Sequence, residues 1–433
     1  MGIRIAITDT QYHRTKLLNI FDDIEKTAVF PILCTIAQIH MSRFYSYINT
    51  AKAILSLYKG DIPFNAFLKS FFSKEKKYGS SDRRMISSLC YNYFRTDKAI
   101  TNKTTEERLL TSLFLCTDVP NEILQNEKPG WNEKVALPLA EKISIAGIDA
   151  ENISPFNNEL SEDINTKAFN TSFLIQPELF ARLRPGKQKI VKQKLEVARI
   201  PFEEINQSCL AFANGTKLEQ VLDINSEVVI QDLNSQRVGE FMTAAKLKST
   251  ADVWDCCAAS GGKSILAYDI LPNIQLTVSD VRESIIPNLH LRFRDAGIKK
   301  YQSLIADLTN YKNLKAALDD KRFDFIICDA PCSGSGTWSR TPEQLMFFHK
   351  EEITRYSNLQ KSICSNTIPF LKKGGYFLYI TCSVFQRENQ EIADFITQQF
   401  PLTLIKEELL KGYEIKADTM FAALFQAHTP KRA

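Results

Sequence analysis

Phe323-Asp324-Phe325-Ile326-Ile327-Cys328-Asp329-Ala330-Pro331-Cys332-Ser333-Gly334-Ser335-Gly336-Thr337 is the stretch on which the reading of this 433-residue chain turns. Its first six residues form a short, apolar, branched run of the kind that makes a buried strand. An acid, a proline and a thiol follow, at the carboxyl end of the strand, where open α/β sheets bind their ligands. The glycines and serines behind them let backbone lie close to a flat substrate. The pattern recurs about fifty residues later, where residues 376–380 run into Thr381-Cys382-Ser383. Free cysteine is among the most buried residue types, so either thiol alone would read as core. Two thiols, each in a polar strand-end motif, predict one shared site on neighbouring strands.

Working outward, strand and helix patterns alternate from about Ala251, the mark of a parallel doubly wound sheet. A strand over 251–255 leads into Cys256-Cys257-Ala258-Ala259-Ser260-Gly261-Gly262-Lys263-Ser264. The Gly-Lys-Ser ending is not a phosphate loop, because Cys257 stands where that loop needs its first glycine. No G-x-G-x-x-G fingerprint is present either. A glycine turn entering a helix still suits a nucleoside-containing ligand with an anionic group for the helix N-terminus. The next strand, over 274–278, ends at Ser279-Asp280, where an acid is placed to hold two ribose hydroxyls. A third strand ends at Asp307. Successive strand-end acids around a glycine turn predict an adenosine pocket.

Upstream, residues 41–157 carry helical periodicity, with Ala53, Ile54, Leu57 and Tyr58 on one face and Phe64, Phe67, Leu68, Phe71 and Phe72 on the next. Ser80 or Ser81 is placed to cap a helix that buries Ile86, Leu89, Cys90 and Tyr93. Residues 158–245 read as a small α/β connector: a short helix opening at residues 176–180, a helix burying Ile190, Val191, Leu195 and Ala198, and strands near 209–213 and 227–230. Residues 1–40 show no clear cap or periodic face and read as an N-terminal extension, disordered or upstream of a true start at Met41. Residues 246–433 form the α/β domain.

The composition, 44% hydrophobic and 24% charged, is that of an ordinary globular chain. Ten cysteines without a secretory signal or any CxxC pair predict free thiols in a reducing, cytoplasmic compartment and no metal site. No apolar run approaches the roughly 18 residues of a membrane span. Net charge is +4 but uneven. Lys69, Lys74, Lys76, Lys77, Arg83 and Arg84 crowd one window against Glu75 and Asp82. Arg182, Arg184, Lys187, Lys189, Lys192 and Lys194 crowd another with no acid. Two such windows point to a polyanionic partner, nucleic acid.

These motifs together resemble the S-adenosylmethionine-dependent RNA cytosine-C5 methyltransferases of the Sun/RsmB type. The resemblance rests on DCCAASGGKS (255–264), DAPCSGSGT (329–337) and TCSVFQRENQEI (381–392), with 53 residues from Asp329 to Cys382. QPELFARLRPG (176–186) and VVIQDLNSQ (228–236) look like the family's connector. YGSSDRRMISSLCYNYFR (78–95) looks like its NusB-like helical domain, and ADTMFAALF (417–425) like its last strand. The resemblance implies a Rossmann-like class I methyltransferase domain with a seven-stranded, mostly parallel sheet, preceded by the α/β connector and an all-α RNA-binding domain. It implies 5-methylcytosine formation in RNA, in small-subunit (16S) ribosomal RNA, by a monomer that uses S-adenosylmethionine and no metal. Cys382 would be the nucleophile that adds to cytosine C6, Cys332 the thiol that assists proton loss and release, and Asp329 the group on N3 and the amino group. Cys257, Ala258, Ala259, Ser260, Gly261, Gly262, Lys263, Asp280, Asp307 and Asp329 would line the cofactor site. The family usually has proline at Ser260 and at Gln386; a serine at 260 can still cap the following helix. The same fold acting on transfer RNA, or as a non-catalytic RNA-binding assembly factor, are the alternatives.

Overall fold

The computed structural model describes residues 29–319 and 321–429. Residues 1–28, most of the expected extension, lie outside the described residues. Its remainder begins the helix Val29–Leu57, which passes through Met41 without a break. The chain divides into two compact units: residues up to 93 with 102–146, and residues 94–101 with 147 onward.

The first unit is all helical. In the part of Val29–Leu57 from Arg43 onward the buried apolar positions are Phe44, Tyr47, Ile48, Ala51 and Ile54, continued by Tyr58 just beyond, an i, i+3, i+4 stripe. Ala53 and Leu57, expected on that face, point outward; the stripe is rotated by one position. Phe64, Leu68 and Phe72 bury the helix Phe64–Lys74. The helix Ser80–Thr96 buries Ile86, Leu89, Cys90 and Tyr93, and its entry is held by Asp82, whose carboxylate accepts the Gly79 N–H at 2.9 Å. A capping box between Thr104 and Glu107 starts Thr105–Cys116. All six cations of the window 69–84 are exposed.

The second unit holds two sheets. The smaller contains β1 (Leu179–Leu183), β2 (Glu203–Asn206), β3 (Cys209–Phe212) and β4 (Val228–Ile230), in the order β2-β3-β1-β4. Residues 176–180 are therefore not a helix: Phe180 and Ala181 belong to a central strand paired antiparallel on both sides. The Pro177-Glu178 pair imitates a helix start, but burial on both faces of the sheet overrides that local signal. The exposed edge strand β2 carries no apolar pattern from which it could be read. In the helix Gln188–Val197, Val191 and Leu195 are buried, while Ile190 and Ala198 face solvent.

The second basic window is partly structural. Arg182 and Arg184 are buried and both ion-paired to Asp269, Arg184 at 2.7 Å. Arg184 also donates to the Asn225 and Ala296 carbonyls, and Lys194 pairs with Glu227 at 2.8 Å. Buried guanidinium groups need such partners, so this pair holds the connector to the helix Gly262–Ile270 and does not face a polyanion.

The larger sheet contains β5 (Asp252–Asp255), β6 (Gln275–Asp280), β7 (Tyr301–Ile305), β8 (Phe323–Asp329), β9 (Leu371–Thr381), β10 (Leu402–Leu410) and β11 (Met420–Ala427). Its order is β10-β11-β9-β8-β5-β6-β7. The pairs from β7 to β9 are parallel, and β11 enters antiparallel between β9 and β10. This is the expected seven-stranded, mostly parallel Rossmann-like sheet. Val253, Phe325, Ile327, Leu378, Ile380, Ala422 and Leu424 form one packed face beneath it. Chain order reverses between β5 and β8, so the crevice at their carboxyl ends is the switch point where such sheets place ligands.

Candidate active site

At that switch point the backbone after β5 is tightly specified. Cys256 N–H donates to the Ile327 carbonyl and Ala258 N–H to that of Ser279, each at 2.9 Å, fastening the turn to both neighbouring strands. Ala259 has φ +48° and Gly261 φ +85°. A left-handed alanine stores strain of about 1–3 kcal/mol, a feature that clusters at ligand sites. Gly261 is required twice over: its φ is positive, and a Cβ there would stand 2.4 Å from the Phe293 ring.

Gly261, not Ser260, precedes the helix Gly262–Ile270, and no side chain caps it. Ser260 instead accepts from Arg292: Nη1 lies 2.6 Å from its Oγ and 3.0 Å from its carbonyl. The serine is held sideways by this guanidinium, which corrects the expectation that it caps the helix.

Lys263 is nearly buried at the start of that helix. Its Nζ donates to Asp329 Oδ2 at 3.0 Å and to Ser235 Oγ at 2.8 Å. The ammonium thus fixes the carboxylate that ends β8. Ser235 lies in VVIQDLNSQ, a stretch whose site role only this long-range contact reveals. Behind the pair, Asp255 is fully buried; Ser264 Oγ donates to its Oδ2 at 2.6 Å, and Oδ1 has no partner. Burial pushes its carboxyl up to about 7, and the Ser264 hydrogen bond opposes the shift.

Asp280 ends β6, where its Oδ2 accepts the Ala259 N–H at 2.9 Å, tying the acid to the glycine turn. Asp307 lies two residues beyond edge strand β7; its Oδ1 accepts from Thr309 N–H and Oγ1, and the residue is exposed. The turn, Asp280 and Asp329 are therefore brought together, while Asp307 makes only its own local turn.

The two thiols are in contact. Cys332 Sγ and Cys382 Sγ are 3.3 Å apart, because β8 and β9 run parallel with Asp329 opposite Ile380. Contact with Cys382 and burial both push the Cys332 thiol pKa up. The loops bearing them are stitched to each other. Gly336 N–H donates to the Cys382 carbonyl at 2.8 Å, and Val384 N–H to Ser335 Oγ at 2.9 Å. Ser333 N–H and Gln360 Nε2 both donate to Glu388 Oε2, and Asn389 accepts from Thr381 Oγ1 while donating to the Ser383 carbonyl. Glu388 is buried, which raises its carboxyl pKa. Glu388 and Asn389 stand inside the third motif, but only the fold shows that they brace the first thiol loop against the second.

Among the described residues Cys256, Cys257 and Cys328 also converge, their sulfurs within 4.8 Å of one another. No spacing in the sequence signals this, since only the β5–β8 pairing joins them. The nine cysteines from Cys90 to Cys382 are free thiols, as expected.

Residues 242–429, which carry this geometry apart from Ser235, match the family described as 16S rRNA methyltransferase RsmB/F. Over these residues the chain is similar to the RsmB/F methyltransferases. Ribosomal RNA small subunit methyltransferase B of Xylella fastidiosa (strain 9a5c) is 34% identical over 245 residues, which cover 56% of each chain. The probable ribosomal RNA small subunit methyltransferase B of Bacillus subtilis (strain 168) is 31% identical over 179 residues, 41% of this chain and 38% of that one. The chain thus spans about half or less of the curated relatives it matches. Among solved structures, PH0851 covers 88% of this chain and 98% of its own at TM-score 0.65 and 16% identity. NSun6 from Pyrococcus horikoshii with SFG covers 63% and 97% at TM-score 0.54 and 13% identity. At such identities these two speak for the fold alone. No helix among the described residues is long and apolar enough to cross a membrane.

Proposed function

We propose that the chain is an S-adenosylmethionine-dependent RNA methyltransferase that forms 5-methylcytosine in 16S ribosomal RNA. The observation that carries the reading is the pair of thiols 3.3 Å apart, beside a carboxylate held by Lys263 at the switch point of the sheet. Similarity to the small-subunit rRNA methyltransferases of Xylella and Bacillus supports the choice of RNA. The exposed cations at 69–84 supply a phosphate-binding surface.

The residues fit the cofactor. Asp280 is aimed by the Ala259 N–H, Gly261 admits only a hydrogen, and a Cβ at Gly262 would meet nothing within 4 Å. Residues 257–263 and Asp280 would hold S-adenosylmethionine, which supplies an electrophilic methyl group when bound. Asp307 is exposed, with its Oδ1 engaged by Thr309, and is assigned no contact with the cofactor.

Cytosine C5 is a poor nucleophile until electron density is pushed into the ring. Cys382 does this as a thiolate, forming a bond to C6 while the C5–C6 π pair moves toward C5. Asp329, oriented by Lys263, meets the base edge at N3 and the amino group as charge develops there. Cys332, its pKa raised by Cys382 and burial, stays protonated beside the thiolate. One thiol is thus poised to attack while the other keeps its proton. After methylation Cys332, having given its own proton to solvent, takes the proton from C5; that electron pair re-forms the C5–C6 π bond as the C6–S bond breaks, and Cys382 leaves as thiolate. The base must be unstacked to enter, so a looped or flipped nucleotide is expected.

The test is transfer of labelled methyl groups from S-adenosylmethionine to 16S rRNA and to transfer RNA, followed by bisulfite sequencing. A single protected cytosine in 16S rRNA is expected. Label in transfer RNA alone would change the substrate, and no label in either would leave an RNA-binding protein without the chemistry.

A further inference from the structure

We propose that Arg282 occupies the sugar-binding positions of Asp280 in the free protein and must withdraw before the cofactor can bind. The inference deepens the reading above and rests on Asp280 being the acid that holds the ribose.

The argument is a count of donors. An ionised carboxylate offers about four lone-pair positions. At Asp280 four N–H donors fill them: Oδ1 accepts from Arg282 N and Nε, each at 2.9 Å, and Oδ2 from Ala259 N at 2.9 Å and Arg282 Nη2 at 3.0 Å. The two backbone donors belong to the end of β6 and to the glycine turn, and they aim the carboxylate. The two guanidinium donors, set as a fork, take what is left. A ribose diol presents the same thing, two donors side by side, and has no other positions on Asp280 to use.

The two classes of donor differ in what it takes to remove them. The backbone amides cannot leave without undoing the turn after β5 and the chain just beyond β6. The Arg282 side chain is 59% exposed against 6% for Asp280, so the guanidinium can swing into water. Asp280 is its sole carboxylate partner among the described ion pairs. A buried acid with no charge partner would be costly in the free protein, and the arginine relieves this until a ligand arrives. The apparent affinity for the cofactor is then the intrinsic affinity reduced by the fraction of molecules in which Arg282 has withdrawn. Arg282 is in this sense a positioning residue that competes with the ligand.

The experiment is calorimetric titration of the full chain with S-adenosylhomocysteine for the wild type, Arg282→Ala, Arg282→Met and Asp280→Ala. Both Arg282 substitutions are expected to tighten binding at least about fivefold by removing the competing population, and Asp280→Ala to weaken it. If Asp280→Ala leaves affinity unchanged, Asp280 is not the ribose acid and the reading of the pocket fails. If Asp280→Ala weakens binding but both Arg282 variants bind as the wild type or less tightly, the pocket stands and the competition is wrong. Thermal unfolding of each variant separates a lost fold from a lost contact.

Discussion

The sulfur atoms of Cys332 and Cys382 stand 3.3 Å apart, although the residues follow different strands and are fifty positions apart in the chain. At that distance the two sulfurs are in hydrogen-bond contact, and contact with Cys382 together with burial pushes the Cys332 thiol pKa up. In the mechanism proposed above, Cys382 is the attacking group and Cys332 the protonated one.

If Cys382 attacks and Cys332 releases, the two substitutions fail differently. Cys382→Ala should give neither methylation nor a covalent complex, because C5 is never activated. Cys332→Ala should form the adduct, transfer the methyl group and stall with RNA attached, a slow band on a denaturing gel that nuclease removes. The double variant should lose the band. A band from Cys382→Ala alone would reverse the roles, and methylation intact in both would return the thiols to the core.

Asp269 neutralises two buried guanidinium groups, Arg182 and Arg184. Asp269→Ala leaves both in a dry environment without a counter-charge and should cost about 3–5 kcal/mol in urea unfolding. A loss below about 1 kcal/mol would mean that water reaches the arginines.

What the sequence made legible was local. Cys332, Cys382 and Asp329 could be found because each follows an apolar run whose length and branching mark a strand end, and Gly261 because a turn needs it. Groups whose role depends on distant pairing were not legible. Ser235 gains meaning only when Lys263 reaches it, and Glu388 only when Ser333 donates to it. Arg182 reads as a nucleic-acid contact because the window 182–194 that it opens contains no acid; its partner lies 87 positions away. Ser260 looked like a cap because capping is local, yet Arg292, from another helix, takes its hydroxyl. Strand β1 imitates a helix start because its proline-led signal is local, whereas its burial is set by β3 and β4, which come later in the sequence.

Gly336 joins both thiol loops, and a Cβ there would lie 2.0 Å from the Thr419 carbonyl oxygen and 3.0 Å from that of Cys382. Both neighbours are backbone, so neither can rotate away. Gly336→Ala should destabilise the chain by about 3 kcal/mol or more and displace Cys382, since overpacking against a fixed wall moves the wall. Gly262→Ala, whose Cβ would meet nothing, should match or exceed the wild type by up to about 1 kcal/mol as a helix residue. Equal melting temperatures for the two variants would contradict the packing at Gly336.

Asp255 should make the fold lose stability as pH rises. Its carboxyl lies at about 7 in the folded chain, pushed up by burial, against about 3.9 when unfolded. Between those values the folded chain binds more protons than the unfolded one, so stability falls from about pH 4 to about pH 7 and stays low above. Asp255→Asn keeps an oxygen for the Ser264 hydroxyl and cannot ionise. Relative to the wild type it should therefore gain stability across that window and level off above it, by about 2–4 kcal/mol. Asp418 is also raised to about 7 by burial, but it is present in both proteins and cancels in the difference. Urea unfolding of the two proteins from pH 4.5 to 8.5 reads the gap directly. Parallel curves would mean that Asp255 is already ionised and compensated at neutral pH, with Lys263 shared between it and Asp329.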